Sequence, residues 1–122
     1  MRIAVIEDER PIREGLVHIL NKISPEYQVV GSAENGREGL ILLEEQDPDL
    51  ILLDMIMPLL SGMDTARELR QHDPHVPIIF LTSSPEFALE SYEVRTFWYL
   101  LKPLDEVRFH AVLDSWYEVH KA

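Results

Sequence analysis

Short apolar runs alternate with amphipathic segments along this chain of 122 residues, and that alternation restricts the fold more than any other feature. The apolar runs are too short for helices and fit buried strands, whereas the segments between them show a helical period. The predicted strands are Arg2–Glu7, Gln28–Ala33, Leu50–Leu53, Pro77–Leu81 and Phe97–Leu101. Strands that alternate with helices indicate βα units on a parallel sheet.

The segments between the strands carry helix starts and apolar faces. Asn35 with Glu38 resembles a capping box, and Ser84 followed by Pro85 and Glu86 is a favourable helix start. The helices are predicted at Pro11–Lys22, Asn35–Gln46, Met63–Gln71, from Ser84, and from about Asp105. Two faces are predicted to be buried: Ile12, Leu16, Ile19, Leu20 and Ile23 in the first helix, and Phe109, Val112, Leu113, Trp116 and Tyr117 in the last. We therefore predict a flavodoxin-like, doubly wound α/β fold with five parallel strands in the order 2-1-3-4-5 and five helices.

Composition restricts the class of protein. The length suits a single domain over residues 1–122, and the absence of cysteine excludes disulfides and thiolate metal sites. A net charge of -11 repels nucleic acid, so no direct nucleic acid binding by this domain is expected. The chain has neither a signal peptide pattern nor an apolar run of membrane length, so we expect no membrane association and a cytoplasmic location.

Charged residues follow three of the predicted strands. Glu7 and Asp8 follow the apolar run Ile3–Ile6 of the first strand, Asp54 follows the third strand and Lys102 follows the fifth. In the predicted strand order, the carboxyl ends of strands 1 and 3 flank the crevice in which ligands bind. Three carboxylates there would repel one another, and a hard cation is the simplest remedy. The sequence therefore predicts a Mg²⁺ site formed by Glu7, Asp8 and Asp54.

The same strand ends suit phosphoryl transfer to a carboxylate. Asp54 could attack a phosphoryl group as a nucleophile, while Lys102 and the Thr82 hydroxyl neutralise or bind its oxygens. Taken singly, each residue has an ordinary explanation as a turn residue, strand end or surface lysine. Their combination in register is far more specific.

With these residues at these positions, the chain resembles the receiver domain of a bacterial two-component response regulator over essentially its whole length. Such domains typically carry an acidic pair, an Asp with Pro four residues later, a Thr or Ser, and an aromatic residue three before a Lys-Pro pair. The matching residues are Glu7-Asp8, Asp54 with Pro58, Thr82, Tyr99 and Lys102-Pro103.

The resemblance implies a regulatory domain rather than an enzyme. It implies that a sensor histidine kinase phosphorylates Asp54 and that Asp8 and Asp54 ligate Mg²⁺, with Glu7 acting largely through water. The backbone carbonyl of Ile56 would complete the protein ligands, and the Lys102-Pro103 bond would be cis.

The resemblance also implies a switch. Phosphorylation would draw Thr82 toward the phosphoryl group, and Tyr99 would turn into the space left behind. The surface of helix 4, strand 5 and helix 5 would change and could support a homodimer, and the output would be transcription regulation.

Several features depart from the commonest receiver pattern or leave alternatives open. Ile56 cannot orient an attacking water, which predicts a long-lived aspartyl phosphate. Trp98 is an added aromatic that marks a contact surface or else packs under the last helix.

The segment around Thr82 is similar to receivers joined to LytTR-type domains, whereas Pro11–Leu16 is similar to receivers joined to AraC-type domains. The domain either acts as a stand-alone regulator or belongs with an output domain that lies outside this sequence, and we expect the second. The alternative function is a non-phosphorylated pseudo-receiver that acts as a protein interaction module.

Overall fold

Five parallel strands form one sheet in the computed structural model of the chain, which describes residues 1–83 and 88–120. The strands are β1 (Arg2–Ile6), β2 (Gln28–Ala33), β3 (Leu50–Asp54), β4 (Ile78–Thr82) and β5 (Trp98–Leu101). Their order across the sheet is β2-β1-β3-β4-β5, and each neighbouring pair is parallel. The predicted fold class and strand order are confirmed.

The helices connect successive strands across both faces of the sheet. They are α1 (Arg10–Ile23), α2 (Gly36–Gln46), α3 (Gly62–His72), α4 (Ala88–Ser91) and α5 (Glu106–His120), with a 3₁₀ turn at Tyr92–Val94 after α4. Four of these helices have 11 to 15 residues, whereas the described part of α4 has 4. The predicted helix start at Ser84 lies outside the described residues. No helix in the described ranges is long and apolar enough to cross a membrane.

Two apolar layers cover the sheet, one on each face. Successive residues of a strand point to opposite faces, so Ile3 and Val5 pack with α1 and α5, whereas Ala4 and Ile6 pack with α2 and α3. Every residue of β3 and β4 is buried, as expected of central strands in a parallel sheet. The predicted faces of the first and last helices are confirmed: Leu16, Leu20, Phe109, Leu113 and Trp116 are buried, and the other predicted members pack against the same layer.

Some element boundaries differ from the prediction by one residue. β1 ends at Ile6, so Glu7 lies just beyond the strand, whereas β3 includes Asp54. The third helix begins one residue earlier than predicted, since the Ser61 hydroxyl accepts a hydrogen bond from the Asp64 amide at 3.1 Å. The predicted Asn35 cap is confirmed, with the side chain accepting from the Glu38 amide at 2.9 Å.

Trp98 lies on the edge strand β5 with 48% of its surface exposed. Trp98 is therefore not part of the buried layer beneath the last helix, and its role as a contact surface stays a prediction. The buried tryptophan in this part of the molecule is Trp116, which belongs to α5 and packs in the apolar layer between that helix and the sheet.

Candidate functional site

Three carboxyl groups converge at the carboxyl ends of β1 and β3. Glu7, Asp8 and Asp54 each place one oxygen so that all three oxygens lie within 4.8 Å of one another. Glu7 and Asp54 are buried and Asp8 is half-buried. The parallel pairing of β1 with β3 causes this convergence, because both strands end at the same edge of the sheet.

Lys102 neutralises part of this negative charge. Its Nζ lies 2.6 Å from Oε1 of Glu7 and 3.3 Å from Oδ1 of Asp54. Glu9 lies farther out, with its Oε1 3.8 Å from the same ammonium group. The lysine thus contacts one oxygen of each buried carboxylate. Within the described residues, the other oxygens, Oε2 of Glu7 and Oδ2 of Asp54, have no hydrogen-bond donor.

The titration of this cluster reflects its crowding. Burial raises the pKa of Asp54 to about 8, together with hydrogen bonds to Glu7 and Asp8 and the charge of Glu7, while Lys102 opposes the shift. Burial by itself lowers the pKa of Lys102, but the hydrogen bond to Glu7 and the charges of Asp54 and Glu7 outweigh it, so this pKa is raised. The raised pKa keeps Lys102 charged, whereas Asp54 holds its proton more tightly than an exposed carboxyl group does.

The donor set fits a hard divalent cation. All three candidate ligands are carboxylates, which suit Mg²⁺ or Ca²⁺ rather than metals that prefer imidazole or thiolate. The two buried oxygens without donors supply lone pairs that nothing in the described part of the chain uses. A cation here would supply the missing partner, so the residues that the sequence singled out as metal ligands fit the ion.

A pocket of about 510 Å³ opens over the carboxylates. Its lining includes Asp8, Asp54, Thr82, Lys102 and also Glu9, Ile12, Ile56, Ser83 and Pro103. Thr82 is buried at the end of β4, and its carbonyl accepts from the Lys102 amide at 2.7 Å, which ties the ends of β4 and β5 together. The predicted cis bond between Lys102 and Pro103 is confirmed. The structure thus brings Glu7, Asp8, Asp54, Thr82 and Lys102 to one place.

The loop after β3 holds Asp54 against the sheet. The amide of Met55 donates to the Leu81 carbonyl at 2.8 Å, and the Gly62 amide donates to the Met55 carbonyl at the same distance. A Cβ atom at Gly62 would lie 2.1 Å from the Asp54 carbonyl oxygen, so only glycine permits this approach. The Ile56 amide lies 3.4 Å from Oδ1 of Asp54. The Ile56 carbonyl as a metal ligand stays a prediction.

Tyr99 lies next to the site on β5, in register with Phe80 of β4. Its ring is partly buried against the apolar layer beneath α2 and α3. Tyr99 therefore packs against the layer that includes Phe80 while staying partly accessible, which is compatible with the predicted rotation.

Two residues near the site were missed from the sequence. Glu9 contacts Lys102, and Arg13 donates hydrogen bonds to the carbonyls of Glu7 and Asp8. Glu9 continues the acidic run after β1, which is a signal that could have been used. Arg13 gave no such signal, because a side-chain bond to a backbone carbonyl leaves no periodic pattern.

Comparison with known proteins gives a consistent result. The profile of the response regulator receiver domain matches residues 3–114. The chain is similar to an uncharacterized response regulatory protein of Vibrio cholerae, with 39% identity over 92% of this chain and 43% of that protein. It is also similar to the transcriptional regulatory protein BtsR of Escherichia coli K12, with 35% identity over 93% of this chain and 46% of BtsR.

Solved structures agree with these sequence matches. The REC domain of AraT, a response regulator from Geobacillus stearothermophilus, superposes with a TM-score of 0.88 and 30% identity, covering 98% of this chain and 95% of that one. The chain spans less than half the length of the two curated relatives named above. Because the receiver profile covers nearly the whole chain and the fold agrees, this chain belongs to the family of response regulator receiver domains of two-component systems.

Proposed function

We propose that this domain is a phosphorylation switch in which Asp54 accepts a phosphoryl group from a phosphohistidine of a sensor histidine kinase, in a Mg²⁺-dependent reaction. One observation carries the proposal: Lys102 bridges Glu7 and Asp54, yet leaves one buried oxygen of each carboxylate without a donor among the described residues. Those oxygens suit a cation and an incoming phosphoryl group.

The transfer step needs little beyond alignment and charge neutralisation. A carboxylate oxygen of Asp54 forms a bond to phosphorus as the P–N bond of the phosphohistidine breaks. The electron pair of that bond stays on the imidazole nitrogen, and with a proton on the other ring nitrogen of the phosphohistidine the donor leaves as a neutral histidine. Lys102 and the hydroxyl of Thr82 would bind oxygens of the transferred group, since both residues line the pocket over Asp54.

The metal ligands we propose are Asp8 and Asp54 directly, Glu7 largely through water, and the Ile56 carbonyl. When bound, Mg²⁺ would neutralise charge on the carboxylates and on the phosphoryl oxygens. The role of this chain would be to hold Asp8 and Asp54 close together at the carboxyl ends of two paired strands.

The switch would connect Thr82 to Tyr99. Thr82 is buried at the end of β4, and Tyr99 lies on the neighbouring strand with its ring partly buried. Movement of Thr82 toward a phosphoryl group would open space for the Tyr99 ring, which biases one of two packings. The surface formed by α4, β5 and α5 would change as a result.

That surface suits a partner or a second copy of the chain. Exposed apolar side chains occur on the 3₁₀ turn, on β5 and on α5, namely Tyr92, Trp98, Leu101 and Val107. We propose a homodimer through α4, β5 and α5, in a longer protein that regulates transcription. The relative BtsR is a transcriptional regulatory protein, which supports this output. No nucleic acid contact by this acidic domain is proposed, and the expected location is the cytoplasm.

The experiment is a calorimetric Mg²⁺ titration of the wild-type protein and of the Asp54→Asn and Asp8→Asn variants. We expect wild-type binding and at least about tenfold weaker binding in each variant, since each loses an anionic ligand. Wild-type binding that neither variant weakens, or no binding at all, would contradict the proposal and favour the pseudo-receiver.

A further inference from the structure

The connection between β1 and α1 is held by a side chain that the proposed chemistry does not use. Nη1 of Arg13, on the first turn of α1, donates to the carbonyl of Glu7 at 2.8 Å and lies 3.4 Å from the carbonyl of Asp8. The backbone amide of Arg13 donates to the carbonyl of Glu9 at 2.9 Å. One residue therefore binds three consecutive carbonyls.

The carbonyls of Glu7 and Asp8 belong to the two peptide groups that flank the Cα atom of Asp8. Fixing both peptide planes fixes the backbone dihedral angles of Asp8, and with them the direction in which its side chain leaves the backbone. Glu7 has a further anchor, because its amide donates to the Ala33 carbonyl of β2 at 3.0 Å. Asp8 lies one residue farther from the sheet, where the guanidinium of Arg13 ties the chain to α1.

We propose that Arg13 is a positioning residue that aims the Asp8 carboxylate at the metal site. This inference rests on the proposed function, because it requires a cation between Asp8 and Asp54. Mg²⁺ demands near-octahedral geometry at about 2.0–2.1 Å, so a modest rotation of the Asp8 backbone costs affinity. Groups that orient metal ligands typically change metal affinity about 10- to 100-fold when removed.

The positive charge of Arg13 and its hydrogen bonds have opposite effects on the affinity for Mg²⁺. A guanidinium close to a cation site repels the cation, so loss of its charge alone should tighten Mg²⁺ binding. Loss of its hydrogen bonds to the two carbonyls should weaken binding, because Asp8 is then free to turn. The sign of the change in affinity therefore separates positioning from simple electrostatics.

Arg10 provides a matched control on the same helical turn. Its side chain is exposed and pairs with Glu14 at 2.8 Å. Arg10→Met removes the same charge from α1 as Arg13→Met does, and both replacements keep an unbranched side chain. Arg13→Lys keeps the charge and one donor group but loses the planar fork of the guanidinium.

The test is a calorimetric Mg²⁺ titration of the wild-type protein and these three variants, with urea unfolding in EDTA as a check on folding. We expect Arg13→Met to bind Mg²⁺ about tenfold more weakly, Arg13→Lys to show an intermediate loss, and Arg10→Met to bind as well as the wild type or better. A merely structural role would lower the free energy of unfolding while leaving the affinity of the folded protein unchanged.

Two results would contradict the account, and they are distinguishable. Wild-type binding with equal or tighter binding in Arg13→Met overturns the positioning role and leaves the proposed function intact. Absence of wild-type binding overturns the proposed function, and the positioning role with it. If Arg13→Met does not fold, the comparison of Arg13→Lys with the wild type decides, because equal affinity in those two proteins also overturns the positioning role.

Discussion

Asp54 combines a buried position with two acidic neighbours and one lysine. Burial is the largest cause of its raised pKa, and the adjacent Glu7 and Asp8 carboxyl groups add to it. Lys102 opposes the shift but is shared with Glu7. In the absence of a cation, ionisation of Asp54 therefore costs the folded state free energy that the unfolded chain does not lose.

The pH dependence of stability follows from this pKa. The Asp54 carboxyl has a pKa of about 8 in the fold against an ordinary value of 3.8, so the folded state holds its proton more tightly. Its contribution to stability is fully present below about pH 4 and is lost as the pH rises toward 8. We expect Asp54→Asn to raise the free energy of unfolding at pH 8 in EDTA by about 1 to 3 kcal/mol, since water screens part of the cost.

Urea unfolding of both proteins in EDTA at pH 5 and pH 8 checks this prediction. The advantage of the variant should be smaller at pH 5, where wild-type Asp54 is largely protonated. A variant that is less stable than the wild type at pH 8 would show that Lys102 compensates the Asp54 charge completely.

Ile56 places an apolar side chain at the mouth of the pocket. It is 54% exposed and lines the pocket with Asp54 and Thr82. Such a side chain can neither donate a hydrogen bond to an attacking water nor accept one from it. We expect Ile56→Asn to speed loss of the phosphoryl group about tenfold, which corresponds to about 1.4 kcal/mol of the barrier.

The measurement is the decay of the phosphorylated protein by intact mass after removal of the donor. Leu59→Asn is a matched control, because Leu59 is an exposed apolar residue of the same loop that does not line this pocket. A slower decay in Ile56→Asn than in the wild type would contradict the proposed effect of the Ile56 side chain on the lifetime of the aspartyl phosphate.

The sequence predicts that the candidate site residues converge, because their positions follow from the topology of the sheet. Once strand ends are assigned, Glu7, Asp8, Asp54 and Lys102 must meet at one edge of a parallel sheet. The detailed pairing could not be predicted in the same way. Side-chain rotamers decide which oxygens Lys102 contacts and whether Arg13 reaches the loop carbonyls. Rotamers leave no pattern along the chain.

At the scale of elements, the glycines of α3 and α1 differ in the space around their Cα atoms. Gly62 begins α3 against the end of β3, whereas Gly15 lies in α1 with open space where a Cβ would stand. The close approach at Gly62 is to backbone atoms of Asp54 and Met55, which cannot move aside as a flexible side chain can. The start of α3 therefore helps to set the position of Asp54.

This contrast predicts opposite effects of the same substitution. We expect Gly62→Ala to lower the free energy of unfolding by about 1 to 3 kcal/mol through overpacking, and to weaken Mg²⁺ binding as the backbone of Asp54 shifts. We expect Gly15→Ala to raise the free energy of unfolding by about 0.5 to 1 kcal/mol, because alanine favours the helix. Urea unfolding with Mg²⁺ titration checks both, and a neutral Gly62→Ala would show that the contact relaxes freely.

Element types were predictable where period and capping agreed. The α2 start was recognisable because Asn35 accepts from Glu38 as the capping box requires. The first helical residue of α3 was missed because its cap, Ser61, follows a loop with no clear period. Trp98 could not be placed from sequence, since an aromatic residue in an edge strand suits either a covered or an open face.

At the scale of the whole molecule, one edge of the sheet holds the candidate site, and the flank beside it carries the exposed apolar side chains Tyr92, Trp98, Leu101 and Val107. β5 belongs to both, because Lys102 follows it directly and Trp98 begins it. Tyr99 lies between these two ends of the strand. We propose that a change at Asp54 reaches the surface of α4, β5 and α5 through β4 and β5.

The central claim is that Asp54 accepts a phosphoryl group in a metal-dependent reaction. The most direct measurement is the intact mass of the protein after incubation with Mg²⁺ and a small acyl-phosphate donor, beside Asp54→Asn and a sample in EDTA. We predict a single phosphoryl adduct on the wild-type protein and none on the variant or without metal. No adduct under any condition, or an adduct that persists in Asp54→Asn, would contradict the account.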